Sequence, residues 1–292
     1  MHLTDIQIRD PFIVPIPEEG VYYLYGTTDT NAWSGPGGGF DAYVSRDLAM
    51  WDGPLPVFRP EAGFWGTENF WAPEMHRYRG RCYLFASFTA PGACRGTQVL
   101  VADGPRGPFR PHSDGPLTPR EWECLDGTLH VDDAGVPWLV FCHEWVQIGD
   151  GGMCLLRLSD DLSRAVSAPV TLFHATEAPW VARLDHPTLP GGYVTDGPFL
   201  HRTADGTLCM LWSSLGPAGY ALGVAHSASG HVTGPWTQDA TPLFAADGGH
   251  GMLLRTFAGQ LTLTLHRPNQ TPHERAVLLP VAEAGGTLRV QE

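Results

Sequence analysis

The sequence predicts an all-β fold, a five-bladed β-propeller forming a single domain. Three observations carry that expectation. A unit of three or four strand-like segments recurs five times along the chain. The segments are rich in Val, Leu, Tyr, Phe and Trp and are bounded by Gly, Pro, Asp or Ser, which is strand and turn chemistry. No stretch keeps a 3.6-residue period, and 35 Gly and 26 Pro in 292 residues leave helices little room.

The first unit opens at RDPFIVP and runs through VYYLYGTT and FDAYVSRDLAMW to GPLPVF. The second opens at WAPEMHRY and continues through RCYLFASF and TQVLVADGPRGPF. The third is LDGTLHVDDAGVPWLVFCHEW followed by MCLLRLSDDL and APVTLF. The fourth is TDGPFLHRTADGTLCMLWSS with YALGVAHSASGHVTGPW, and the fifth runs from GHGMLLRTFAGQLTLTLH to the end of the chain. The openings fall at Asp10, Glu74, Asp126, Asp196 and His250, roughly fifty to seventy residues apart. Sheets that cannot bury both faces alone stack radially, which makes residues 1–292 one propeller. A β-sandwich of similar length would not explain why equivalent positions recur.

Composition narrows the function. The formal net charge of −13 and the lack of any basic run exclude nucleic acid and anionic membrane as partners. No apolar stretch has transmembrane length, and MHLTDIQIRD lacks a basic region followed by an apolar one, so the expected location is cytoplasmic. Six cysteines without a CxxC pair read as reduced, buried thiols rather than a zinc site or disulfide framework. Eleven per cent aromatic residues, ten of them Trp, is a surplus suited to stacking on sugar rings.

In a propeller the innermost strand of each blade lines a central channel, so equivalent openings would bring Asp10, Glu74, Asp126, Asp196 and His250 to one end of it. Any one Asp before Gly or Pro is ordinary turn chemistry. Three carboxylates at such positions are harder to dismiss, because like charges in a partly buried pocket push at least one pKa upward. One carboxylate then stays ionised while another holds a proton, the arrangement for general base and acid. Among aromatic walls this suits a small oligosaccharide or glycoside, and glycoside hydrolysis is the reaction class that uses the set.

The runs RDPFI, FWAPEMH, LDGTLHVDDAGVPW, TDGPFLHR and GGHGM, in that order over essentially the whole chain, resemble the motifs of glycoside hydrolase family 43. The resemblance implies a five-bladed propeller acting by inversion on arabinofuranosides or xylosides. It makes Asp10 the general base that activates water and Asp126 a second carboxylate that orients the acid and holds its pKa up. It makes Asp196 the general acid, where the family usually has Glu. His250 matches a channel histidine beside a calcium ion or water cluster; calcium, which prefers oxygen, would be reached through water. Arg275 resembles an arginine that meets substrate near the acid, and Trp71 an aromatic that walls the subsite.

Asp196 is one methylene short, a withdrawal of roughly 1.5 Å, which makes Glu74 and Glu144 the alternative proton donors. His143, Glu144 and Trp145 follow a strand and are expected to project a polar cluster into the pocket. SGPGGGF reads as a flexible loop over its mouth, and Glu123 in EWECLDG as a turn residue. The expected activity is an inverting exo-glycosidase on α-L-arabinofuranosides or β-D-galactofuranosides. Its rivals are a β-xylosidase, a catalytically inactive carbohydrate-binding propeller and a phosphorolytic enzyme, which would need a cationic cluster beyond Arg275 and Arg267.

Overall fold

The computed structural model describes residues 1–30 and 32–291 and is a ring of five antiparallel four-stranded sheets, each a meander of consecutive strands. Blade one holds β1 (Arg9–Ile16), β2 (Val21–Thr27), β3 (Phe40–Ser45) and β4 (Trp51–Phe58). Blade two holds β5 (Glu68–Tyr78), β6 (Arg81–Ala90), β7 (Ala93–Ala102) and β8 (Arg110–Pro111). Blade three holds β9 (Cys124–Val131), β10 (Pro137–His143), β11 (Gly152–Arg157) and β12 (Val170–His174), with the single-turn helix α1 (Trp145–Ile148) after β10. Blades four and five hold β13 (Asp196–Arg202) to β16 (Trp236–Gln238) and β17 (Gly249–Arg255) to β20 (Thr287–Val290). Between these, β14 (Leu208–Gly216), β15 (Gly219–Ser227), β18 (Leu261–Arg267) and β19 (Arg275–Ala284) are the middle strands. The first strand of every blade packs against the first strands of its neighbours, so β1, β5, β9, β13 and β17 line the channel.

Every inner strand carries the same irregularity. Its pairing with the second strand slips by one residue, between Arg9 and Phe12, Trp71 and Glu74, Leu125 and Thr128, Asp196 and Phe199, and Gly249 and Met252. Two inner-strand residues thus stand against one on the partner. The first residue inside each bulge is left-handed: Asp10 (φ 53), Ala72 (φ 46), Asp126 (φ 56), Gly197 (φ 50) and His250 (φ 51). The second is Pro or Gly. Bulges re-aim side chains and end regular pairing, and they cluster beside active sites. Five equivalent positions therefore exist, but they correct the sequence alignment. Glu74 lies two residues beyond the bulge residue Ala72, and Asp196 lies one before Gly197.

Apolar side chains fill the seams between blades. Phe40 and Phe58 of blade one interlock with Phe70 and Phe88 of blade two, and Trp212 of blade four stacks near Phe173 of blade three and Trp180 beyond it. Leu263 and Leu265 of blade five meet Leu211 and Val224 of blade four. Phe88 is fully buried, with Phe64 and Phe70 rings 5.0 and 4.9 Å away. Phe88→Ala should therefore cost about 3–5 kcal/mol of stability, read as a lower denaturation midpoint.

The ring closes without exchanging a strand. Instead Gln7 bridges to Arg275, the Ile8 N–H donates to the Glu274 carbonyl at 3.2 Å, and Arg9 Nη1 forms a buried ion pair with Glu274 Oε1 at 2.7 Å. Such a pair holds while both partners remain, and removing either leaves a buried charge alone. Closure thus fixes Arg9 beside the channel mouth.

Candidate active site

Asp10, Asp126, Asp196 and His250 line one pocket at the end of the channel, with Arg9, Trp33, Trp71, Leu125 and Tyr220 completing its wall; the space between them is about 390 Å³. The pocket opens into a wider vestibule of about 1260 Å³, lined on one side by Arg95, Glu144, Trp145, His186 and Leu189. The two share Arg9, Trp33, Trp71, Leu125, Asp196 and Tyr220.

The left-handed bulge turns Asp10 and Asp126 inward, and each bulge N–H is held by a side chain. Thr27 Oγ1 accepts from the Ala72 N–H at 2.8 Å and donates to Asp10 Oδ2 at 2.8 Å. Ser87 Oγ accepts from the Asp126 N–H, Ser213 Oγ from the His250 N–H, and His266 Nδ1 from the Asp10 N–H. Accepting at Nδ1 requires a neutral ring there, in keeping with a His266 pKa lowered to about 3 by burial and by Arg9. Gly197 has no room for a side chain, since a Cβ would meet His250 Cγ at 2.7 Å.

His250 Nδ1 lies 3.2 Å from Asp10 Oδ1 and 3.5 Å from Asp126 Oδ2. Burial would lower its pKa, but Asp10 and Asp126 raise it to about 10, so the ring is an imidazolium at neutral pH. Burial would raise Asp10, yet the His250 charge, its hydrogen bond and Arg9 outweigh this and hold Asp10 well below the usual carboxylate range. Asp126 is pushed up to about 8 by burial and by its neighbours Asp196 and Asp10. Asp196 is raised by burial, with Asp10 adding to it. Two carboxyls, both shifted upward, thus stand beside the ionised Asp10. Tyr220 donates its hydroxyl to Asp196 Oδ2 at 3.0 Å, a bond that favours the ionised carboxylate and offsets part of the upward shift from burial.

Other expected residues fall elsewhere. Arg275, the first residue of β19, donates to the backbone carbonyls of Thr4, Pro272 and Glu274, and does not line the pocket. The arginine at the site is Arg9, which lies 4.7 Å from the Trp33 ring. His143 stacks on Trp122 at 4.2 Å and meets Gln147 through Nε2, away from both cavities. Glu74 meets His76 Nε2 at 3.1 Å and is absent from the pocket wall. Glu144 is paired with Arg95, whose guanidinium lies 4.2 Å from the Trp71 ring, and with Trp145 it lines the vestibule.

Ser34–Phe40 is pinned rather than loose, with Pro36 bridging Glu68 and the Gly37 N–H donating to the Thr67 carbonyl. His250 faces carboxylates through Nδ1, while its Nε2 is buried with no hydrogen-bond partner among the described residues. Among the described residues, no three His, Cys, Asp or Glu side chains form a group able to hold a metal ion.

Arg9, Thr27, Trp33 and Tyr220 were not expected. Arg9 stands in RDPF beside the base and was readable there. Tyr220 lies in YALGVAHS, which reads only as a strand, and nothing local ties it to Asp196.

Sequence and structure comparisons point to one family. The profile of Glycosyl hydrolases family 43 matches residues 4–283. An extracellular exo-α-(1→5)-L-arabinofuranosidase, ArbA of Cellvibrio japonicus (strain Ueda107), is 26% identical over 278 residues, covering 86% of this chain and 72% of that protein. A crystal structure of an endo-arabinase from Bacteroides thetaiotaomicron VPI-5482 is 40% identical, with a TM-score of 0.91 and 98% of both chains covered. An endo-1,4-beta-xylanase from the same organism shares the fold at 24% identity and a TM-score of 0.76, over 98% of this chain and 95% of that one. The extracellular relative overturns the cytoplasmic location expected from the N-terminal residues. With three carboxylates, two tryptophans and a propeller channel arranged around one pocket, the chain belongs to glycoside hydrolase family 43 and is a glycoside hydrolase.

Proposed function

We propose that the protein is an inverting, exo-acting α-L-arabinofuranosidase that removes terminal arabinofuranose from short α-linked arabinosides. The observation carrying this reading is three carboxylates on the wall of one pocket in unlike surroundings: His250 and Arg9 hold Asp10 low while burial raises Asp126 and Asp196, a pair we read as sharing one proton.

Asp10 takes the proton of the attacking water while Asp196 protonates the departing oxygen, and the C–O bond breaks as the new one forms on the opposite face. Asp126 stays ionised in the productive state and keeps the proton on Asp196. The His250 imidazolium holds Asp10 and Asp126 in place and balances their charge. Tyr220 turns the short Asp196 carboxyl toward the pocket, and this supports Asp196 over the alternatives. Glu144 is occupied by Arg95 and Glu74 by His76. Trp33 and Trp71, in edge contact at 5.3 Å, offer the apolar wall a furanose ring stacks on.

The inner pocket is small and ends on Asp10, Asp126 and His250, which supports attack on chain ends. The relative from Cellvibrio japonicus is an exo-arabinofuranosidase, while the neighbour from Bacteroides thetaiotaomicron, described as an endo-arabinase, favours internal cleavage. Product analysis separates these. With linear α-1,5-arabino-oligosaccharides, the expected first product is arabinose alone. A ladder of shorter oligosaccharides would support endo cleavage. Among aryl glycosides, turnover of α-L-arabinofuranoside is expected; turnover only of β-D-galactofuranoside or β-D-xyloside, or of none, would overturn the assignment.

A further inference from the structure

The five bulges hold their N–H groups by one device, with a single departure. Opposite the residue preceding each bulge, the second strand supplies Thr27, Ser87, Cys142, Ser213 and His266. Four of these carry a good acceptor, and each takes the bulge N–H of the following blade: Thr27 that of Ala72, Ser87 that of Asp126, Ser213 that of His250 and His266 that of Asp10. The fifth is a thiol, and sulfur is a weak acceptor. The Gly197 N–H that Cys142 would have received goes instead to Asp126 Oδ2 at 2.9 Å.

The consequence follows from blade one. There a hydroxyl stands between the carboxylate and the next blade, because Thr27 Oγ1 donates to Asp10 Oδ2 while it accepts from Ala72. In blade three that link is missing, so the Asp126 carboxylate bonds directly to the strand carrying Asp196.

We propose that Cys142 is a positioning residue: by withholding an acceptor from the Gly197 N–H, it draws the Asp126 carboxylate one hydrogen-bond link closer to Asp196 and so sets their proton sharing. This rests on the roles given to Asp126 and Asp196 above. The groups that act on the pair are Arg9 and Asp10 from β1, Glu144 after β10, Tyr220 from β15 and His250 from β17, and Cys142 from β10 is itself a neutral thiol that lies near the Thr195 hydroxyl beside Asp196. The Arg95 ion pair holds Glu144 in all three variants.

The test compares C142S, C142A and D126N by the pH dependence of kcat and KM on an aryl α-L-arabinofuranoside, with circular dichroism melting as the control for folding. In the native enzyme the loss of the shared proton sets a basic limb near the Asp126 value of about 8. C142S restores the hydroxyl link and lets Asp126 retreat. The Ser hydroxyl donates to Asp126 in place of the Gly197 N–H, so the contact that lowers Asp126 is exchanged rather than lost, and the weaker like-charge coupling moves the basic limb down by up to about one unit and lowers kcat about tenfold with KM little changed. C142A supplies no acceptor, so the limb stays in place and kcat falls by no more than about threefold. A packing role predicts the reverse order, since Ala leaves a void and Ser does not. If C142S fails to fold, C142T, with the hydroxyl and methyl that Thr27 carries in blade one, makes the same comparison.

D126N removes the charge altogether and should move the limb down further. A native limb in D126N would overturn the role of Asp126 and this proposal with it. A displaced limb in D126N beside a native limb in C142S, or an equal shift in C142A and C142S, would overturn the role of Cys142 alone.

Discussion

Replacing Asp10 by Asn is expected to lower kcat by about 10²–10⁴-fold with KM changed little, and to lower the melting temperature because His250 loses a buried ionic partner. Asn keeps the shape and the left-handed backbone that the bulge demands, and it is among the side chains that tolerate that conformation. It cannot take a proton from water. The Thr27 hydroxyl can still donate to the amide oxygen, so the local frame survives. His250 loses one of the two anions that raise it, and its pKa falls. Steady-state kinetics with an aryl α-L-arabinofuranoside checks the prediction, and retained turnover in a folded variant would remove Asp10 from the base role.

Asp196→Asn should separate substrates by leaving group. For an arabino-oligosaccharide, whose departing alkoxide needs a proton, kcat is expected to fall by about 10²–10⁴-fold. For a dinitrophenyl arabinofuranoside, which leaves as a stable anion, the fall should be far smaller. Tyr220 can still donate to the amide oxygen of the replacement side chain, so a uniform collapse on both substrates would speak for lost geometry rather than a lost acid. Equal, near-native turnover of both would move the acid role to another carboxylate.

The architecture was legible because strand chemistry and turn residues repeat five times, and the seams between blades follow from the same aromatic segments. The bulge positions were legible too, but in a different code from the one followed. The repeating element is a dipeptide, Asp10-Pro11, Ala72-Pro73, Asp126-Gly127, Gly197-Pro198 and His250-Gly251, whose first member is left-handed. Following charge instead of backbone pulled Glu74 and Asp196 into the alignment. Glu74 then fell away from the pocket, while Asp196, one residue before its bulge, still lines it.

Contacts made across the ring left no local trace. Arg9 reaches Glu274 from the other end of the chain, and Tyr220 reaches Asp196 from two strands away. Arg275 was expected at the site, but the adjacent Glu274 is the residue that reaches inward, while the Arg275 guanidinium caps backbone carbonyls. Cys142 read as one more apolar thiol. Its meaning depends on Thr27, Ser87, Ser213 and His266 occupying the same place in other blades, which only the strand register reveals.

The central claim is that Asp10 and Asp196 act from opposite faces of one furanose ring, with water attacking directly. Proton NMR of the first-formed sugar, followed in time during hydrolysis of an α-L-arabinofuranoside, tests it most directly. The expected product is β-L-arabinofuranose, appearing before mutarotation mixes the anomers. α-L-Arabinofuranose as the first product would mean a covalent intermediate and retention, and would contradict the roles given to both aspartates.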